Sequence, residues 1–488
     1  MTHDEVLNEI SCKFIGSKQI HIFAQRFEIL CNQLFASSFD LQTQPIYELS
    51  ILLPNEQILL QQLNNNVHPS NVSICIHQAF IQQAMLYPNK SAVILDDQSL
   101  TYSELLSQVQ QLSLILINEK GVEPGDNVCQ CIDRSIEMIM GILSIMMAGA
   151  IYIPLNPTDP FERRQQLVDQ VKAKLILDNK SVQSSLNGDR DIEQLSHVNV
   201  TPESISHIIF TSGSTGVPKG VQIRHRNFIA YMKTHVMQVN DITLQMTSSS
   251  FDSHLDDILG SAIRGAQLVL LKPSGHLDID YTTKTIHDKN VTYVGPVPSW
   301  LNALGKYLHE NSHTQTRISS LESCALAGET LLSSTINQIL PFVSEQCKFF
   351  NLYGPTEVTF LATSHEVNRE ELLSTATLPI GNPLPGYCIY LLDEYQQSVV
   401  PGEVGEVFIG GVGVFAGYYG RDDLTSKVLI KINNELCYAT GDLARLDNKS
   451  GELIFIGRRD FQIKLRGQRI ELSTIEMAII ESSTDVLN

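Results

Sequence analysis

The feature that most constrains this chain is a ten-residue loop, TSGSTGVPKG, from Thr211 to Gly220, which follows the apolar run Ile208, Ile209, Phe210. Gly213, Gly216 and Gly220 allow sharp turns and close backbone approach. Thr211, Ser212, Ser214 and Thr215 supply hydroxyls, and Lys219 a cation. These are the groups that a row of phosphates needs. The spacing, G-x-x-G-x-x-K, departs from the G-x-x-x-x-G-K-S/T of P-loop proteins, so the loop is a different nucleotide cradle or a flexible Gly/Ser linker. Pro218 and the preceding strand-like run argue against a slack linker.

A chain of 488 residues with 43% hydrophobic content can bury two or three cores. The net charge of −19, from 34 Lys and Arg against 53 Asp and Glu, repels nucleic-acid phosphates and anionic membranes, so neither is expected as a partner. Nine scattered cysteines, with Cys129 and Cys131 as the closest pair, give neither a disulfide framework nor zinc-ligand spacing. The start, MTHDEVLNEI, is polar and acidic, unlike a signal peptide, and a cytoplasmic setting is expected. The uncharged run Met138–Leu155 approaches membrane-spanning length. Gly149 and Pro154 interrupt it, so it reads as a buried helix ending near Ala148 and a short strand, Ile151–Ile153.

Residues 1 to about 65 carry one helical pattern (Ile20, Phe23, Phe27, Leu30, Leu34) and then polar stretches that read as a linker. From Ile74 helix and strand patterns alternate: a helix near Ile76–Leu86, a strand Ala92–Leu95, and LTYSEL opening a helix with Ser103 as N-cap. Further strands are expected at Lys174–Leu177, Ile205–Phe210, Leu268–Leu271 and Thr292–Val294. The expected class is α/β, with mostly parallel sheets flanked by helices. Thr211 then leaves the carboxyl end of a strand, where such sheets bind ligands. After about Pro401, short strands with Gly-rich turns predict a smaller β-rich unit.

Three later stretches combine groups suited to a nucleotide. NLYGPTE (351–357) holds an amide, an aromatic ring, a Gly-Pro turn and a carboxylate, and reads as a ligand edge or an ordinary turn. YATGDL (438–443) puts Asp442 where it suits ribose hydroxyls or simply solvent. GRRDFQIKLRGQRIEL (457–472) is either a phosphate-steering cluster or an exposed strand pair. Gly411, Gly413 and Ala416 satisfy a loose G-x-G-x-x-A pattern, but no amphipathic helix follows and no dinucleotide fold is implied.

In this order the stretches TSGSTGVPKG, SSFDSHLDDIL, NLYGPTE, GEVFIGGVGVFAGY, YATGDL and GRRDFQIKLRGQRIEL resemble the adenylate-forming superfamily. LTYSEL and MAGAIYIPLNP resemble its earlier landmarks. Within it, the likeness is to the adenylation domains of nonribosomal peptide synthetases. Residues 1–65 look like a condensation-domain tail and linker, 70–457 like the large AMP-binding subdomain, and 458–488 like the hinge and the start of the C-terminal subdomain.

The resemblance implies an ATP-dependent ligase that activates an amino acid as an aminoacyl-adenylate. It implies that Thr211, Ser212, Gly213, Ser214, Thr215, Gly216 and Lys219 hold the pyrophosphate end of ATP, with Gly328 and Gly354 also in the ATP site. Asn351 and Tyr353 would hold the adenine, and Asp442 with Arg458 the ribose. Glu357 would hold Mg2+, and Lys219, Thr356 and Glu357 would be catalytic. Asp252 would bind the substrate α-ammonium, and Ser253, Asp256, Gly295, Ala325, Ala327, Leu352, Phe360 and Leu361 would complete the substrate pocket. Asp256 reads as selecting a polar or basic side chain, or as a carboxylate pointing to solvent. A carrier domain bearing phosphopantetheine, which this chain does not contain, would receive the acyl group.

The likeness is incomplete. Asp460 matches the family's hinge, and the sequence ends at Asn488, so the C-terminal subdomain and its lysine are expected to be incomplete. Slow adenylation and no autonomous thioester formation would follow. Ala439 and Ala416 stand where the family usually has arginines. An acyl-CoA or aryl-acid ligase, and a non-catalytic nucleotide-binding remnant, are the alternatives.

Overall fold

The computed structural model describes residues 17–35, 49–64, 72–183, 191–212, 217–373, 376–459, 462–465 and 468–471. Two large sheets carry most of it. In the six-stranded sheet the order is Gly417–Tyr418, Lys219–Arg224, Ile205–Thr211, Ile151–Pro154, Asn127–Gln130, Leu175–Leu177. The last four run parallel, whereas Ile205–Thr211 and Lys219–Arg224 pair antiparallel, with Thr211 opposite Lys219. The glycine-rich loop therefore closes a hairpin instead of leading into a helix.

The nine-stranded sheet has the order Asn382–Pro383, Thr363–Glu366, Lys348–Tyr353, Ser323–Leu326, Tyr293–Val294, Ile242–Gln245, Gln267–Leu270, Ser91–Leu95, Gln98–Thr101. Its centre is parallel and its ends antiparallel. A third, five-stranded antiparallel sheet contains Tyr387–Leu392, Val404–Gly411, Glu435–Leu446, Leu429–Ile432 and Leu453–Arg458. This is the expected β-rich unit, which begins earlier than Pro401 because Tyr387–Leu392 supplies its first strand. Gln462–Leu465 and Gln468–Glu471 form a separate two-stranded ribbon.

The run from Met138 becomes a buried helix, Ile136–Met147, and a buried strand, Ile151–Pro154, turned by Gly149 at φ +81°. Among the described residues no helix is long and apolar enough to cross a membrane. Ser103 is not the N-cap of its helix. The helix is Tyr102–Asn118, capped by Thr101, whose hydroxyl accepts from Glu104 N while Glu104 reaches back to Thr101 N at 2.7 Å. The reciprocal capping box outcompetes a lone serine because it satisfies two donors at once.

The first helix, Ser17–Leu34, leaves Ile20, Phe23 and Phe27 40–52% exposed, in line with a pattern that lacks its own core. The next helix, Pro54–Leu63, is docked. Leu59, Leu60 and Leu63 pack into the core of the five-stranded sheet, and Asn64 exchanges two hydrogen bonds with Ile389.

The NLYGPTE segment leaves strand Lys348–Tyr353 and folds back at once. A Cβ on Gly354 would lie 2.5 Å from Phe360 O and 2.6 Å from Leu361 Cα. Gly354→Ala is expected to destabilise the protein by about 2–4 kcal/mol, because backbone atoms cannot retreat from it. A thermal melt followed by circular dichroism checks this, and an unchanged midpoint would contradict it.

Candidate nucleotide and substrate site

Three neighbouring parallel strands deliver the site. Val294 pairs with Cys324, Ala325 with Phe350, and Leu326 with Asn351, so Gly295, Ala325 to Gly328 and Asn351 to Tyr353 emerge together at the carboxyl ends of adjacent strands. That edge is where open α/β sheets hold ligands. Gly328 takes φ +89°, a turn conformation that suits glycine.

The residues expected around the ribose meet. Asp442 and Arg458 face each other across the strands Glu435–Leu446 and Leu453–Arg458, and the Arg458 guanidinium donates to Asp442 Oδ1. Tyr353 donates its hydroxyl to Asp442 Oδ2 at 2.6 Å. Burial, reinforced by the Asp442 charge, raises the Tyr353 hydroxyl well above its ordinary pKa, so it stays a donor. The carboxylate is buried and paired, which satisfies the cost of its desolvation. Asn351 is also buried, but its amide donates to Pro379 O at 2.6 Å and to Leu378 O at 3.4 Å. It braces the neighbouring loop, and Tyr353 is the member of the pair that reaches the Asp442 carboxylate.

A second chain of contacts begins at the loop. Lys219 Nζ lies 5.0 Å from the centre of the Tyr418 ring, and Tyr418 donates its hydroxyl to Glu357 Oε1 at 2.8 Å. Glu357 is fully buried in the turn Thr356–Val358. Thr359 and Phe360, at φ +64° and +69°, then carry the chain back toward the sheet. Consecutive non-glycine residues in this region are strained, and such strain concentrates at working sites. Thr211 Oγ1, at the root of the loop, is buried and has no hydrogen-bond partner among the described residues. Ser212 is half-buried, and Gly213, Ser214, Thr215 and Gly216 lie outside the described residues, as does Asp460.

The segment dismissed as a dinucleotide pattern has a structural task. Ala416 N donates to Gln222 O, Tyr419 N to Gly220 O, and Phe415 N to Glu357 O, each at 2.8–2.9 Å. Residues 415–419 thereby tie the hairpin of the glycine-rich loop to the Glu357 turn. Tyr418, which links Lys219 to Glu357, was not among the expected site residues; its place in GVFAGY was the only signal.

On the substrate side, Asp252 sits at the N-cap of the helix Ser253–Arg264 and accepts from Ser253 N at 2.8 Å. Ser253 is exposed. Ala325, Leu352, Phe360 and Leu361 are buried in one apolar cluster, with Ala327 packed against it. Gly295 lies near Asp257 and Ala325: a Cβ there would be 3.7 Å from Asp257 Oδ1. Burial, with Asp256 beside it, pushes the Asp257 carboxyl well above the usual range. Asp256 does not point to solvent. Its side chain is 14% exposed, and Oδ2 lies 3.2 Å from His235 Nε2.

Away from these residues, Cys75, His77 and His225 bring ligand atoms within 4.8 Å of one another, a buried group that sequence spacing did not reveal. Burial lowers both imidazoles, His77 to about 4, so both are neutral at pH 7. Cys75 Sγ lies 3.7 Å from Val200 O, and Ile76 N donates to His225 Nδ1.

The profile of the AMP-binding enzyme family matches residues 80–419. Zwittermicin A synthase ZmaJ of Bacillus cereus is 36% identical over 431 residues, covering 84% of this chain and 81% of that protein. Bacitracin synthase 2 of Bacillus licheniformis is 33% identical over 440 residues, covering 87% of this chain but 16% of that synthase. Holo-PA1221, described as an NRPS protein containing adenylation and PCP domains, is 25% identical. It superimposes with a TM-score of 0.73, over 87% of this chain and 74% of that one. The chain belongs to the AMP-binding enzyme family. Within that family it is of the nonribosomal peptide synthetase adenylation type.

Abolishing the Asp442 charge tests the ribose assignment. Asp442→Asn leaves Arg458 without its counter-charge and is expected to weaken ATP binding about 10- to 100-fold. Calorimetric titration with ATP checks this; an unchanged Kd would remove Asp442 from the site.

Proposed function

We propose that this chain activates an amino acid with ATP. A substrate carboxylate oxygen attacks the α-phosphorus, an O–P bond forms, and the bond to the leaving pyrophosphate breaks, giving an aminoacyl-adenylate. The observation that carries this reading is the convergence of Tyr353, Asp442 and Arg458 into one part-buried contact set. Tyr353 lies at the same sheet edge as Gly328 and the substrate-side residues, and Asp442 and Arg458 reach it from the five-stranded sheet. Tyr353 and Asp442 suit a nucleoside, offering a ring to a base and a carboxylate to ribose hydroxyls.

Lys219 and the glycine-rich loop would take up the charge of the triphosphate, and the Tyr418 ring beneath Lys219 keeps that cation directed. Mg2+ prefers hard oxygen donors, and Glu357 with the Thr211 hydroxyl, which has no hydrogen-bond partner among the described residues, offers that type of donor. When bound, the ion would neutralise phosphate charge as the leaving group departs. Glu357 would hold the ion, Thr356 would line the same turn, and the pocket from Asp252 to Leu361 would orient the amino acid. Catalysis of this kind rests on positioning and electrostatics.

The acyl group would pass to the phosphopantetheine thiol of a carrier domain, a partner type supported by the adenylation and PCP pairing in PA1221. Free thiols at every described cysteine fit a reducing, cytoplasmic setting. We keep residues 1–65 as a condensation-domain tail and linker, 70–457 as the AMP-binding subdomain, and Asp460 as the hinge. Amino-acid-dependent exchange of pyrophosphate into ATP tests the activity directly.

A further inference from the structure

Away from the nucleotide and substrate residues, one interior cluster gathers three side chains that bind soft and borderline metals and that the adenylation chemistry does not use. Cys75 is the N-cap of the helix Ile76–Leu86, and His77 lies in its first turn. His225 opens the helix His225–Met232, directly after the strand Lys219–Arg224. All three are buried, and His77, the most accessible, is 9% exposed. The Cys75 sulfur and one ring nitrogen of each histidine lie within 4.8 Å of one another.

Local hydrogen bonds bring them together. Gln78 accepts the Cys75 N–H at 2.8 Å, which fixes the start of the first helix, and Ile76 N donates to His225 Nδ1 at 3.3 Å, which holds the second helix beside it. The polar capacity gathered here is nevertheless little used. Cys75 Sγ makes a weak contact, 3.7 Å from Val200 O, the bond to His225 Nδ1 is long, and His77 Nδ1 has no hydrogen-bond partner among the described residues. Buried polar atoms in that condition are costly, and a ligand that pairs with all three groups at once removes the cost.

The donor set and its spacing identify the ligand. Zinc in tetrahedral coordination, about 2.0 Å from nitrogen and 2.3 Å from sulfur, keeps its ligand atoms roughly 3.5 Å apart and the centres of two imidazole ligands about 5 Å apart. The rings of His77 and His225 stand edge to face with centres 5.7 Å apart, so side-chain adjustments of about 1 Å close the set. One thiol and two imidazoles suit Zn2+ and not Mg2+, which takes oxygen donors, so the cluster is separate from the metal position proposed at Glu357.

We infer that Cys75, His77 and His225 form a Zn2+ site, with water as the fourth ligand. On binding, the Cys75 thiol gives its proton to solvent and the sulfur coordinates as thiolate. The ion would staple the helix Ile76–Leu86 to the hairpin Ile205–Arg224 at the end opposite the glycine-rich loop, since Arg224 pairs with Ile205 and Lys219 with Thr211. The inference stands independently of the adenylation reading.

The test titrates the purified full chain, first stripped with a chelator, with Zn2+ by calorimetry and with Co2+ by absorption spectroscopy. The tightest Zn2+ site is expected to take one equivalent with a Kd of about 1 µM or below. Co2+ is expected to show the visible bands of a tetrahedral ion and a thiolate-to-metal charge-transfer band. Cys75→Ser should abolish the charge-transfer band and weaken Zn2+ binding about 100-fold or more, above the 10- to 100-fold that losing an outer-shell partner costs. His77→Gln, at a position whose Nδ1 has no partner to lose among the described residues, should weaken Zn2+ binding on a similar scale and serves where Cys75→Ser fails to fold. No metal uptake by the unaltered chain, a Co2+ complex without the charge-transfer band, or unchanged Zn2+ affinity in either folded variant overturns the inference.

Discussion

Glu357→Gln is expected to lower amino-acid-dependent pyrophosphate exchange by at least about 100-fold, the scale on which removing one preorganised electrostatic group slows a reaction. The substitution keeps the size of the side chain and an oxygen that can accept from Tyr418, now 2.8 Å from Oε1, so the turn should survive. What disappears is the negative charge proposed to hold the metal. The loss should fall mainly on kcat. Raising the Mg2+ concentration should recover part of it, because a weakened site fills at higher concentration. A rate within threefold of the unaltered protein would mean that Glu357 is only a buried structural acid paired with Tyr418.

Asp252→Ala is expected to raise the KM for the amino acid by about 100-fold or more, because an ammonium in the pocket would lose its counter-charge. Asp252 tolerates the change structurally better than a core acid would. It is half-buried at a helix N-cap, and loss of its bond to Ser253 N costs only about 1 kcal/mol. The effect should therefore appear in the amino-acid KM and not as unfolding. An unchanged KM would argue that the substrate has no α-ammonium, as for an aryl or fatty acid, and would turn the proposal toward an acyl ligase.

These two residues also mark how far the sequence could be read. The α/β class and the β-rich unit follow from alternation of apolar runs with Gly-rich turns, and the strands at Ile205–Thr211 and Tyr293–Val294 fall close to where the pattern puts them. The order of the motifs pointed to Tyr353, Asp442 and Arg458, and the structure brings these three into contact although Tyr353 and Asp442 lie 89 positions apart. What the sequence could not supply was the partnering. Tyr418 looks like any aromatic residue after a glycine until the hairpin bearing Lys219 and the Glu357 turn are brought to it from 199 and 61 positions away. Ser103 misled because a capping preference was read one residue at a time, whereas Thr101 and Glu104 act as a pair.

The central claim is that one site joins ATP to an amino acid. The direct measurement is exchange of labelled pyrophosphate into ATP by the purified chain, run across apolar, acidic, polar and diamino acids. The account predicts exchange that depends on the added amino acid and falls with Glu357→Gln and Asp252→Ala. ATP binding without exchange for any amino acid would contradict it and leave a protein that holds nucleotide without activating a substrate.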